Sequence, residues 1–224
     1  MWRDALLVAG KDLRIEGRSR VALNQVLPFA VLVLVLFAFA LDPDRGVLVR
    51  AAAGLYWVAV LFSALLAVQR SQAIESGEGT RDALRLSGLD PAGVFLGKAG
   101  AVAVQLLVLE VLLGLGVVVL YGVEPAGLGL LAVTAVVATA GVAAAGTLYG
   151  VIAAGLRVRE TLLPLLLLPV LAPVLIAATR VSETALSGAS AGVPAGSWLL
   201  LLATFAVLYL GFGVVAFGPL LEDG

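Results

Sequence analysis

The chain alternates long apolar stretches with short polar ones, a pattern typical of a protein that crosses a membrane several times. A helix needs roughly 20 apolar residues to cross the hydrocarbon core of a bilayer, and six stretches reach about this length. We therefore predict an all-α integral membrane protein with six transmembrane helices. The predicted spans cover residues 21–41, 49–68, 95–121, 127–156, 162–179 and 198–221.

Residues 1–20 precede the first span and are predicted to form an amphipathic helix at the membrane interface. They carry many charges of both signs, which is unlike the short basic start of a signal peptide. On a helix, Trp2, Leu6, Ala9 and Leu13 would share one face and the basic residues the opposite face. An indole ring also prefers the headgroup level. A frayed polar leader is the alternative interpretation.

The polar segment between the second and third spans contains an ordered series of helix signals. The second helix is expected to continue to near Glu75, where glycines end it. Thr80 is a suitable N-cap for a short helix over 81–87, which Gly88 would end. Asp90 followed by a proline then starts the third helix.

We predict that residues 77–90 form a cytoplasmic coupling-helix loop. A few residues would suffice to connect the two spans, so a capped helix between them suggests a partner. Short amphipathic helices commonly dock into a groove on another protein. A flexible hydrophilic loop is the alternative. The candidate coupling residues are Glu75, Thr80, Asp82, Leu84 and Leu86.

Small residues recur at helical spacing in the fourth span. In membranes such residues more often allow two helices to pack closely than bind a ligand. Two of them are separated by three residues and form a GxxxG motif. The set comprises Gly141, Ala145, Gly146 and Gly150.

The fifth span contains three prolines, Pro164, Pro169 and Pro173. Each proline removes a backbone hydrogen bond, so we predict a kinked helix whose freed carbonyl groups need other partners. The kinked helix either lines a path through the membrane or simply has a fixed bend. A polar outer loop over 180–197 is expected to follow.

Composition supports the membrane assignment and restricts the possible chemistry. Of 224 residues, 62% are hydrophobic and 13% charged, against about 45–50% and about 25% in soluble domains. No polar segment exceeds about 30 residues, so we predict a single transmembrane domain over 1–224. The chain has no cysteine and no histidine, which excludes disulfides, thiol nucleophiles and the usual metal sites.

The sequence also argues against two kinds of ligand for this chain, ATP and nucleic acid. The chain has no glycine-rich phosphate loop ending in Lys-Ser or Lys-Thr, so any ATP would be bound by another polypeptide. A net charge of −1 argues against a nucleic-acid partner. The expected surroundings are the lipid bilayer.

The basic residues predict the orientation in the membrane. Of the 14 lysines and arginines, all but Arg45, Arg50 and Arg180 fall in segments on one side. Because cytoplasmic loops are enriched in lysine and arginine, both termini are predicted to be cytoplasmic.

Glu110 is a carboxyl group inside the third span. It lies 12 residues after Lys98, which places it about 18 Å along the helix, near or just beyond the middle of the membrane. A carboxylate there is expensive and is therefore a functional candidate by default. The structural alternative is a protonated side chain hydrogen-bonded to a neighbouring helix.

Several segments together resemble the heme exporter protein B, or CcmB, family. The likeness covers nearly the whole chain in order and at similar spacing, although no single motif is as specific as a metal-ligand signature. The segments are Lys11-Asp12-Leu13-Arg14, Phe37-Ala38-Phe39-Ala40-Leu41, Gly54-Leu55-Tyr56-Trp57-Val58, Arg70 with Glu75, Glu78, Thr80 and Leu84, Gly97-Lys98, Glu110, Gly146-Thr147-Leu148, and Arg157-Val158-Arg159-Glu160-Thr161 running on to Pro169.

The resemblance implies an ABC-2-type permease, without enzymatic activity of its own, in the bacterial inner membrane. It implies pairing with a separate ATPase subunit, a permease homodimer, and other membrane proteins of cytochrome c maturation. The expected task is haem export or handling and ATP-dependent release of a haem-loaded chaperone. Haem is then a possible cargo, ATP acts through the partner, and no cofactor is expected to bind this chain directly.

Three other interpretations remain open at this point. An ABC-2-type permease could export another cargo, such as a drug, a lipid or a glycan. A secondary transporter would show inverted repeats with broken helices and several intramembrane charges, which the sequence lacks. A membrane enzyme would need a clustered nucleophile, base or metal ligand.

Overall fold

The computed structural model describes residues 1–20, 22–41, 45–75, 88–154, 159–187 and 194–223. Throughout these ranges the regular structure is helical, and no strand occurs in them. A short π-helix, Ala22–Val26, precedes α2. The α-helices are α1 Trp2–Ser19, α2 Leu27–Leu41, α3 Arg45–Glu75, α4 Pro91–Tyr121, α5 Leu128–Ala154, α6 Arg159–Ser187 and α7 Ala195–Asp223.

Six helices in the described part of the chain are long and apolar enough to cross a membrane. The predicted all-α class with six spans and an N-terminal helix is thereby confirmed. The second helix runs to Glu75 as expected. The candidate spans are Asn24–Leu41, Gly46–Ala73, Pro91–Tyr121, Leu128–Ala153, Leu162–Leu186 and Ala195–Leu220.

The predicted Asp90-Pro91 start of the third helix is confirmed. Gly88 has a φ of 66°, a conformation that glycine adopts without the steric cost of a side chain. The Asp90 side chain accepts a hydrogen bond from the Ala92 backbone N–H at 3.2 Å, and Pro91 occupies the first helical position. Gly122, also at φ 66°, ends the helix.

The predicted boundary of the fifth span is wrong at its C-terminal end. Instead of stopping at residue 179, α6 continues to Ser187, so the first eight residues of the expected loop 180–197 are helical. The extension is held by Val181, Ser182 and Ala185, which are buried. The Ala185 carbonyl also accepts a hydrogen bond at 2.9 Å from the backbone N–H of Gly127, just before α5. Tertiary packing therefore overrides the polar composition.

Helix α5 lies at the centre of the bundle and packs against α3, α4, α6 and α7. Eight consecutive residues, 141–148, are buried. A Cβ atom built on Gly146 would lie 2.5 Å from a methyl group of Val68, and one on Gly150 would lie 2.6 Å from the Gln72 amide. The GxxxG motif therefore brings α5 into close contact with α3, as the packing interpretation predicted.

Helix α1 packs chiefly against the beginning of α4. Gly93 and Gly97 allow this approach, since a Cβ atom on Gly93 would lie 2.6 Å from the backbone oxygen of Met1, the N-cap of α1, and one on Gly97 would lie 2.6 Å from that of Ala5. The order of these contacts makes the two helices parallel. The frayed-leader alternative is wrong. The sequence did not predict this docking, because the buried face of α1 comprises Ala5, Val8, Asp12 and Glu16.

The first half of the apolar face predicted for α1 is turned away from the bundle, whereas Ala9 and Leu13 on the same face are half-buried. Trp2 and Leu6 are 71% and 75% exposed. This face is free to contact lipid, as an interfacial helix requires.

We expect Gly146→Val to lower the free energy of unfolding by about 1–3 kcal/mol, because the added atoms overlap Val68 in a close-packed core. Gly129→Val in the same helix is the matched control, since nothing lies within 4 Å of a Cβ there. Denaturation of the purified protein in mixed micelles measures both. Equal stability of the two variants would contradict the close contact between α3 and α5.

Candidate functional site

Helices α3, α4, α5 and α6 line an open cavity of about 600 Å³ in the membrane-spanning region, and its rim residues Val111, Leu115 and Leu128 are exposed on the outer surface of the bundle. Its lining is apolar except at Tyr56, Trp57, Glu110 and Ser182. The cavity extends from Glu110 towards the turn between α4 and α5, which contributes Val123 and Pro125. It therefore occupies the half of the bundle next to that turn. We call it the Glu110 cavity.

Glu110 lies deep in the bundle, with 3% of its surface exposed. It is 11 residues from the end of α4 at Tyr121, or about 16 Å along the axis. This agrees with the predicted position near mid-membrane. Oε1 accepts a hydrogen bond from the Thr139 hydroxyl of α5. Within the described ranges, Oε2 is buried without a hydrogen-bond partner.

Two side chains of α3 connect this carboxyl region to its surroundings. The Tyr56 hydroxyl donates to the Glu110 backbone carbonyl at 3.3 Å. The Trp57 indole N–H donates to Ser182 Oγ of α6 at 2.9 Å, and both partners are buried. The two aromatic rings meet edge to face, with centroids 5.4 Å apart. These contacts link α3 to α4 and α6 along the wall of the cavity.

Sequence reasoning identified Glu110 but missed Thr139 and Ser182. Thr139 stands in an apolar, alanine-rich helix where a hydroxyl often bonds to its own backbone. Ser182 fell within the expected outer loop. The one available signal was periodicity, since Ser182 continues the buried positions Val174 and Ala178 of α6 at helical spacing.

The three prolines lie within α6, which continues through all of them. Pro169 and Pro173 are exposed on the outer side of the helix, and Pro164 is half-buried. None of them lines the Glu110 cavity. Their position favours a fixed adjustment of helix shape over a role in lining a path.

The candidate coupling residues fall almost entirely outside the described ranges. Glu75 is the last residue of α3. Thr80, Asp82, Leu84 and Leu86, together with the short helix predicted over 81–87, belong to the part of the chain between residues 75 and 88 that the structure does not describe. Their predicted role therefore remains a prediction.

A second cavity, of about 500 Å³, lies near the end of α3 that leads to this segment. It is more polar, being lined by Gln25, Gln69, Arg70 and Gln72 among others. Arg70 Nε is buried and has no hydrogen-bond partner among the described residues. The cavity lies near the end of the bundle predicted to face the cytoplasm.

Charges of both signs are also removed from solvent where α1 meets α4. Lys98 of α4 is 1% exposed, and Asp12 and Glu16 of α1 are buried. Asp12 forms an ion pair with Lys11 at 2.8 Å. A lysine at this depth is costly unless acidic groups lie nearby, so the acidic face of α1 suits its position on α4.

Comparison with known proteins gives a consistent family assignment. The family model described as "CcmB protein" matches residues 3–222. The chain is 30% identical over 214 residues to "Heme exporter protein B" of Haemophilus influenzae, covering 96% of this chain and 93% of the relative. Proteins of the same name from Rhodobacter capsulatus and Paracoccus denitrificans are 30% and 31% identical, covering 82% and 83% of this chain and 84% of each relative.

We expect Trp57→Phe and Ser182→Ala each to destabilise the protein, with a coupling free energy of about 0.5–1.5 kcal/mol in a double-mutant cycle. Either change leaves one buried polar group without its partner, whereas the double variant removes both groups. Unfolding in mixed micelles measures the four proteins.

Thr184→Val is the matched control for loss of a hydroxyl from α6. Its hydroxyl is exposed and bonds to the Arg180 carbonyl within the same helix, so we expect a change within about 0.5 kcal/mol. Strict additivity of Trp57→Phe and Ser182→Ala would argue against a hydrogen bond between α3 and α6.

Proposed function

The chain belongs to the CcmB family, and on that basis we propose that it is the permease subunit of an ATP-driven system for haem export or handling in cytochrome c maturation. The observation that carries the proposal is the family match over residues 3–222. It is supported by relatives named "Heme exporter protein B" that align over most of their length. These names favour haem over a drug, lipid or glycan as the cargo.

We propose that the protein contributes no catalysis and that ATP is hydrolysed by a separate ATPase subunit. The whole sequence lacks a glycine-rich phosphate loop. The long helices α3 and α4 leave only short polar connections, so the chain would act as a single transmembrane permease domain. ATP hydrolysis must then reach it through a contact with its partner.

The segment between α3 and α4 is our candidate for that contact, through Glu75, Thr80, Asp82, Leu84 and Leu86. It joins two 31-residue helices, both of which contribute to the Glu110 cavity. A displacement at the segment would therefore be passed along rigid helices to the membrane interior. This arrangement supports coupling between a cytoplasmic ATPase and the intramembrane site.

We further propose an inner-membrane location with both termini cytoplasmic, and assembly as a permease homodimer with other cytochrome c maturation membrane proteins. The unequal distribution of basic residues supports the orientation. Outward apolar side chains such as Leu36 and Phe39 of α2, at 60% and 76% exposure, suit contact with lipid or with another transmembrane subunit.

Haem would have to be held without strong iron ligation by this chain. The sequence has no histidine or cysteine, and Met1 is its single methionine. These are among the side chains that most often bind haem iron. If haem contacts the permease, shape and apolar surface would supply the affinity, and a partner would supply any iron ligand of this type.

Replacing Leu84 or Leu86 by aspartate is expected to uncouple the permease from its ATPase. An unpaired carboxylate in an apolar docking groove costs several kcal/mol, so the complex should weaken by well over tenfold. Co-purification of the ATPase from native membranes and the yield of cytochrome c are the two measurements. Arg85→Lys, which keeps the charge in the same segment, is the control.

Leu84→Asp and Leu86→Asp should still insert into the membrane, and their elution as folded protein would establish this. If both retain the wild-type complex and the wild-type yield of cytochrome c, the docking assignment is wrong. The family assignment would stand, since it rests on separate observations.

Glu110 is our candidate for a residue that acts in the conformational or transport cycle. We expect Glu110→Gln, which preserves shape but cannot ionise, to abolish cytochrome c maturation while the complex with the ATPase remains intact. Glu110→Leu should in addition lower the free energy of unfolding by about 1–3 kcal/mol, because the Thr139 hydroxyl loses its acceptor. Full maturation by Glu110→Gln would reduce Glu110 to a packing role.

A further inference from the structure

Helix α1 separates its charges by sign around its axis. Its three acidic residues lie on the face that packs on α4, where Asp12 and Glu16 are buried and Asp4 is half-buried. The Asp4 carboxylate accepts a hydrogen bond from the Asp90 backbone N–H at 3.3 Å, and Asp12 forms an ion pair with Lys11. Docking on α4 therefore withdraws the negative charge of α1 from its outer surface.

The outer surface of α1 is basic as a result. Within residues 1–20, all of which the structure describes, no acidic side chain is exposed and five basic ones are: Arg3, Lys11, Arg14, Arg18 and Arg20. The four that belong to the helix lie within about 80° of one another around its axis. Arg3, Arg14 and Arg18 form no ion pair with any described residue. A cationic stripe without counter-charges attracts anions.

An exposed apolar strip lies beside this basic stripe. Trp2 and Leu6 form it, and Leu6 is about 60° from Arg3 around the helix. A helix with adjoining apolar and basic faces is suited to an anionic membrane surface. Its apolar side chains enter the acyl region, and its arginines extend to the headgroups.

The position of α1 also favours lipid as the partner. Its first turn contacts Asp90 and Gly93, at the start of the candidate span Pro91–Tyr121. Its last residue, Ser19, comes five residues before the span that begins at Asn24. Both ends of α1 are therefore held beside the first residues of membrane spans, at the level where lipid headgroups lie.

We propose that the outer surface of α1 binds the headgroups of anionic phospholipids. Arg3, Arg14 and Arg18 pair with the negatively charged headgroups, while Trp2 and Leu6 contact the acyl chains. The selectivity is for net negative charge, because a zwitterionic headgroup carries a cation of its own. This surface goes beyond the proposed function and does not depend on the cargo.

The cysteine-free sequence allows a single site on α1 to be labelled in the full-length protein. Leu7 is exposed within the basic stripe, one helical turn from Arg3 and from Lys11, so Leu7→Cys carries a bimane fluorophore. The protein is placed in phosphatidylcholine nanodiscs with a small fraction of spin-labelled phosphatidylglycerol or, in a parallel sample, spin-labelled phosphatidylcholine. Quenching of the bimane by each lipid measures how often that lipid lies beside α1.

We expect phosphatidylglycerol to be enriched about fivefold over phosphatidylcholine at Leu7→Cys, the ratio that one basic residue near the surface supplies. Salt at about 0.5 M should lower the ratio, because it screens exposed charges. Val119→Cys is the matched control label. Val119 is exposed on α4, in which no lysine or arginine follows Lys98, so the two lipids should quench there equally.

Two sets of substitutions separate charge from folding. Combining Arg3→Gln, Arg14→Gln and Arg18→Gln should bring the ratio at Leu7→Cys close to one. Combining Arg3→Lys, Arg14→Lys and Arg18→Lys keeps the charges and should preserve most of the enrichment. Monodisperse elution establishes that each protein is folded. Arg14→Gln alone, a milder change, should lower the ratio part of the way.

Equal quenching by the two lipids at Leu7→Cys would overturn the proposal, as would an unchanged ratio in the combined glutamine variant. Absence of quenching by either lipid would also refute it. A shift of the bimane emission on adding the ATPase subunit would then assign this surface to a protein partner. Because lipid binding is measured on the permease alone, failure here leaves the proposed role in cytochrome c maturation untouched.

Discussion

Backbone amide and carbonyl groups inside a bilayer have no water to bind, so each must find its partner within the protein. This requirement makes every crossing segment a helix. Burying one apolar surface against another gains little free energy inside a bilayer, because the lipid is equally apolar. Close contact between helices must then provide the specificity. Here it is provided by glycines on both sides of the bundle. Gly146 and Gly150 bring α5 against α3, and Gly93 and Gly97 bring α1 against α4. The remaining contacts, including the wall of the Glu110 cavity, depend on this framework.

Hydropathy and capping signals predicted much of the fold because they act locally. The Asp90-Pro91 start determines backbone geometry within one turn, whatever surrounds it. The end of α6 could not be predicted in the same way. Residues 180–187 are polar enough for a loop, and their helix is stabilised by burial against α3 and by a bond to the backbone before α5. The docking face of α1 could not be predicted from the sequence either, since it includes two acidic residues that no hydrophobic pattern would select.

The same distinction between local signals and tertiary contacts applies to the candidate site. A single carboxyl group in a long apolar stretch is visible in the sequence, so Glu110 could be predicted as an intramembrane candidate. Its hydrogen bond to Thr139 joins positions 29 residues apart, and the bond from Trp57 to Ser182 spans 125. Such pairings depend on which helices become neighbours, and a single sequence carries no direct record of that. The family match supplied the functional assignment, whereas the packed helices supplied the chemistry of the cavity.

The docking of α1 on α4 has a consequence for how the protein is made. Helix α1 leaves the ribosome about 70 residues before α4 begins, and domains are synthesised from the N-terminus at about 5–20 residues per second. For several seconds, therefore, α1 exists without the surface that it will finally cover. During that interval Trp2, Leu6 and Leu7, which stay exposed in the finished bundle, give the nascent helix an apolar edge with which to rest on the membrane. Asp12 and Glu16 can remain hydrated until α4 arrives with Lys98. The order of synthesis thus separates the two faces of α1 in time, since its acidic face meets the surface of α4 only after α4 has been made.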